Sequence, residues 1–143
     1  MMLDEKRLLN ALRNVDRVRK KLAVRFGLDP IAKEEVSIVL PLNYSLSAPI
    51  KSEKIVKEDG TIEYEIKEVH SPQGHVGYIV TRRVRESSAD GTVREEETAY
   101  FLFKEPASIK VINENTGTES VLPIEPVEHR VLLDVLEAFR MRS

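Results

Sequence analysis

The chain has no cysteine and no tryptophan, and Gln73 is its only glutamine. Without cysteine there is no disulfide, no thiolate nucleophile and no cysteine-held zinc or iron–sulfur site. No apolar run approaches about 18 residues, so no segment reads as a membrane-spanning helix. The start, Met1 to Lys6, lacks the apolar stretch of a secretion signal. These absences lead us to expect a cytoplasmic protein with no membrane partner. Catalytic signatures are missing too. There is no nucleophile-elbow serine, no glycine-rich loop opening a helix and no HExxH pattern. No catalytic residue and no cofactor is therefore expected, although a pocket over a sheet is not readable from sequence.

What the chain has is charge, unevenly placed. Residues 3–26 carry eight basic groups (Lys6, Arg7, Arg13, Arg17, Arg19, Lys20, Lys21, Arg25) against Asp4, Glu5 and Asp16, a net +5. The rest carries 14 basic and 21 acidic groups, a net −7 that the overall −2 conceals. Of the 24 acidic residues 18 are Glu. With so little Gln and no Cys, this matches the composition reported for hyperthermophiles. At 143 residues and 41% hydrophobic content, one domain with a sizeable core is expected over 1–143.

Leu8, Leu12, Val15, Leu22 and Phe26 recur at spacings of three, four and seven, predicting one amphipathic basic helix over 3–26. Gly27 stands where a C-cap would, with Pro30 just beyond. A sheet is expected over 36–124. Val36, Ile38, Leu40, Leu42, Tyr44 and Leu46 alternate with mostly polar residues, predicting a strand over 36–46 that Pro41 confines to an edge or a bulge. Asp59-Gly60 marks a hairpin between 50–58 and 62–69. His70 to His75 reads as a loop. A second hairpin pairs 76–86 with 92–103; setting Glu86 opposite Thr92 puts Arg83 opposite Glu95 and Tyr78 opposite Tyr100. A third joins 108–112 to 120–124, and a helix is expected over 126–141. The fold class is α+β: an N-terminal helix, an antiparallel meander of about seven strands (an open sheet or a partly closed barrel) and a C-terminal helix.

Three functional readings follow. The first is a non-catalytic binding or assembly protein whose partner is itself or another protein. Leu8, Leu12, Val15 and Leu22 are its candidate self-association stripe, unless that stripe belongs to the monomer's own core. The second is a nucleic-acid-binding protein that tracks phosphates with Arg13, Arg17, Lys20 and Lys21 on the basic helix. The third is a small-ligand binder or enzyme over the sheet, with Tyr44, Tyr64, His70 and His75 to inspect first. The His70/His75 pair falls short of a usual metal site unless Glu68 or His129 joins it, so no metal is expected. Arg82, Arg83 and Arg85 are expected to pair across the hairpin with Glu95, Glu96 and Glu97 rather than to bind a ligand.

Overall fold

Alternation of apolar and polar residues along Gly60–Ser71, Gly74–Ser87 and Thr92–Phe103 builds the centre of the molecule. The computed structural model describes residues 2–26 and 29–141, with the side chains of 26 and 29–33 outside that description. In chain order the elements are α1 (Glu5–Leu12), β1 (Arg17–Phe26), β2 (Asp29–Glu34), β3 (Val36–Val39), β4 (Ser45–Leu46), β5 (Lys51–Lys57), β6 (Gly60–Ser71), β7 (Gly74–Ser87), β8 (Thr92–Phe103), β9 (Ala107–Asn113), β10 (Glu119–Ile124) and α2 (His129–Ala138). Seven strands form an open, curled sheet in the order β2-β1-β8-β7-β6, with β4 and β5 both on the far side of β6. A small sheet has the order β10-β9-β3. Every pairing is antiparallel. The α+β class, with a helix at each end of the chain and an antiparallel sheet between, is as the sequence predicts.

Alternate residues of β6, β7 and β8 face opposite sides. One side carries Ile62, Tyr64, Ile66, Val80, Val84, Tyr100 and Leu102, packed with Leu8 and Leu12 of α1 and Leu132, Val135, Leu136 and Phe139 of α2. The other carries Val69, Ile79, Phe101 and Phe103, packed with Ile109 and Ile124 of the small sheet. The long strands are thus the middle layer between two helices and a three-stranded sheet. Arg7 joins the helices through Asp134, 3.1 Å away, and Glu137. Gly77 lies where β7 runs against β8: a Cβ there would come within 2.1 Å of the Leu102 carbonyl oxygen.

The basic helix over 3–26 is corrected. Helix α1 ends at Leu12 and tightens through Val15 N–H donating to the Leu12 carbonyl. Arg17–Phe26 is a strand. Its sequence satisfies both periods, because Val18, Leu22 and Val24 also alternate. The partner decides: Arg17–Lys21 match Tyr100–Glu96 residue for residue, setting Lys20 opposite Glu97 and Lys21 opposite Glu96. The cap read at Gly27 lies outside the described residues.

Three boundaries also move. The strand expected over 36–46 divides into β3 and β4 in different sheets. Tyr44 N–H reaches back to the Pro41 carbonyl and Asn43 turns through φ 66°, while β3 is an edge strand as Pro41 suggests. The β7–β8 register is shifted by two. Ser88 N–H donates to the Thr92 carbonyl around Gly91 at φ 87°, so Arg83 opposes Glu97 and Tyr78 opposes Leu102. The C-terminal helix begins at His129, not Pro126.

Candidate functional site

The four cations expected on one helix face do not share a face. Arg13 is exposed at the end of α1, where its guanidinium donates to Asn10 Oδ1 at 3.2 Å. Arg17, Lys20 and Lys21 lie on β1, with Lys20 on the opposite side from the other two. Strand geometry substitutes a different set. Arg17, Arg19 and Lys21 stand two residues apart, about 6.7 Å along one side of β1. None of the three makes an ion pair among the described residues.

Three of the four residues of the self-association stripe are used inside the monomer. Leu8, Leu12 and Val15 are 0%, 1% and 8% exposed in the first core, and Leu22 is half-buried on β1. That burial removes Leu8, Leu12 and Val15 as a docking surface.

Arg83 and Arg85 pair across the hairpin, on the side of the sheet away from the helices. Arg83 bonds Glu97 Oε2 at 2.7 Å and Arg85 Nε lies 3.3 Å from Glu95. The Glu97 hydrogen bond is the main reason the Arg83 pKa is raised. Lys54, 3.8 Å from Glu63, extends this alternation across the sheet. An open depression of about 490 Å³ lies over these groups. Its opposite charges sit side by side, so their fields largely cancel at a distance. Exposed pairs of this kind add roughly 0–1 kcal/mol each.

Arg82 turns to the helix side and has another partner. Its Nε donates to Tyr64 Oη at 3.0 Å, and Tyr64 Oη donates to Glu5 Oε2 at 2.5 Å. Tyr64 is fully buried, and burial, then the Glu5 contact, pushes its hydroxyl well above the ordinary tyrosine range. Tyr44 is elsewhere, half-buried at the second core with its hydroxyl 3.4 Å from Glu105.

His70 and His75 are brought together, not spread along a loop. A tight turn at Pro72-Gln73 joins β6 to β7, so the two histidines are cross-strand neighbours with ring centroids 5.2 Å apart. Glu68 Oε2 lies 3.3 Å from His70 Nε2 and 3.8 Å from His75 Nε2. Lys104 Nζ is 2.8 Å from His75 Nδ1, which must accept from the ammonium. The ring proton of His75 then belongs on Nε2, on the side of Glu68. Burial first and Lys104 second lower the His75 pKa, keeping the ring neutral. A protonated Nε2 offers no lone pair to a metal. His129 opens α2 outside this group, and among the described residues no three His, Asp or Glu side chains are arranged to hold a metal ion.

One feature was missed in the sequence. Among the described residues strand β5 pairs only with β6, leaving its other edge open. Of the eight large hydrophobic residues most exposed among those described, Leu42, Leu46, Ile50 and Val56 lie in or beside β4 and β5; Leu42 is 88% and Val56 75% exposed. Glu53 and Lys57 on β5 make no ion pair among the described residues. The signal was present as apolar residues without a core-facing partner, but only the strand order shows that this strand is at an edge.

Compared with family models, characterised proteins and solved structures, the chain matches none.

Proposed function

We propose that this chain is a non-catalytic binding and assembly protein whose first partner is a second copy of itself. The observation that carries this reading is the open β4–β5 edge, where exposed apolar residues lie in or beside strands that are paired on one edge only. Such edges accept another strand unless something blocks them. The packing of α1 and α2 on one side of the long strands and of the small sheet on the other supports the same reading, since it leaves the strand edges to do the binding. Sedimentation of the purified chain across a concentration series tests it: a discrete dimer is expected, and a monomer throughout contradicts it.

A second reading, that the chain also holds a polyanion, is favoured by the row Arg17, Arg19, Lys21. These three cations, without an ion pair among the described residues, repeat at even spacing on one side of β1, a pattern that suits a flexible single strand. Anisotropy of labelled single-stranded DNA and RNA at two salt concentrations tests this second reading.

A further inference from the structure

We infer that two copies join edge to edge through β5 in one register, with Ile55 opposite Ile55 of the second copy. This rests on the assembly reading above and adds the geometry of the interface.

Continuing the sheet with an identical antiparallel strand needs a two-fold axis perpendicular to the sheet. Directly opposed residues then point to the same face, so the axis passes through a residue position rather than between two. Strand β5 reads Lys51, Ser52, Glu53, Lys54, Ile55, Val56, Lys57. Centring on Lys54 sets Lys54 against Lys54 and Lys51 against Lys57 twice. Centring on Glu53 sets Glu53 against Glu53. Centring on Val56 leaves only three residues of each strand in the ladder.

Centring on Ile55 keeps five residues of each strand, Glu53 to Lys57. It places Glu53 opposite Lys57 of the second copy twice, and Lys54 opposite Val56 twice, with no like charges directly opposed. Glu53 and Lys57, which make no ion pair among the described residues, are thereby partnered. Val56, 75% exposed, is covered by the aliphatic stem of Lys54 from the other copy. Ile55, already packed in part on the first core, turns its remaining surface to its counterpart. The result is one continuous sheet of twice the width.

The test uses charge reversal and cross-linking, with thermal unfolding confirming that each variant is folded. Glu53→Lys puts Lys against Lys57 twice and should raise the dimer dissociation constant about tenfold or more, since two favourable pairs become repulsive. Adding Lys57→Glu to Glu53→Lys swaps the pairs and should restore the dimer. Because the chain has no cysteine, single cysteines report cleanly. Lys54→Cys mixed with Val56→Cys should form a disulfide heterodimer in excess of the homodimers either gives alone, because directly opposed positions fit disulfide geometry. A wild-type dimer that ignores both charge changes and gives no mixed disulfide overturns this register while leaving self-assembly standing. A wild-type monomer at every concentration overturns both.

Discussion

Tyr64 Oη donates to Glu5 Oε2 at 2.5 Å, joining the middle of β6 to the first turn of α1 across 59 residues of chain. The same oxygen accepts from Arg82 Nε, so one hydroxyl satisfies an acid and a base on two other elements. Removing it with Tyr64→Phe leaves both charged partners short of a hydrogen bond beside the core. The expected cost is about 1–3 kcal/mol of folding stability, read as a lower urea midpoint at unchanged slope. A neutral outcome means that the two partners find water or each other.

The His75 ring gives the molecule a pH dependence of known sign. Its folded pKa is below the imidazole value near 6.5, chiefly through burial and then Lys104, opposed in part by Glu68. As pH falls, the unfolded chain takes the proton first, so the stability of neutral His75 is present above about pH 6.5 and is lost as pH drops through the folded value. His70 and Tyr78 also face this ring. The urea midpoint should fall as pH drops below about 6.5, and His75→Phe should make that decline shallower because the proton-binding group is gone. Equal slopes in the two proteins contradict the assignment.

Leu12 belongs to the monomer's core, and its truncation tests core against interface. Leu12→Ala should lose about 2–5 kcal/mol of stability, as buried leucines do. Association of the still-folded fraction should be unchanged. Dissociation without loss of stability would return this residue to an interface.

The row on β1 makes a comparison possible between residues of equal charge. Replacing Arg17, Arg19 and Lys21 with Ser should weaken low-salt binding to labelled single strands and lower the salt slope by about 2, since three contacts contribute roughly −0.7 each. Replacing Arg13 and Lys20, which lie off that row, should leave the slope nearly unchanged. The reverse order of effects would put the contact surface elsewhere.

Local pattern was enough for the elements whose partners lie nearby in sequence. Asp59-Gly60 marked the β5–β6 hairpin to within one residue, the turn itself being Glu58-Asp59 with Gly60 already paired to Lys57, the third hairpin ran close to its expected limits, and Val131, Leu132, Val135 and Leu136 carried α2. It failed where two periods coincide. From Val18 to Val24 the same residues satisfy a helix and a strand, and only a partner 70 to 81 residues away in β8, supplying Glu96 and Glu97, decides between them. The His70/His75 pair was legible as two histidines near a turn. Glu68 two residues upstream on the same strand was legible with it, but Lys104 arrives from the end of a different strand and sets the tautomer. The Arg82–Tyr64–Glu5 contact was invisible for the same reason, while Arg83 and Arg85 were readable because a hairpin supplies their partners. The open edge of β5 depends on sheet order, which no single segment encodes.

Sedimentation equilibrium of the unmodified chain, from low micromolar to high micromolar concentration, tests the central claim most directly. Self-assembly through β5 predicts a monomer–dimer equilibrium that closes at the dimer, because the pairing uses the same edge of both copies. A single species of monomer mass over the whole range contradicts it.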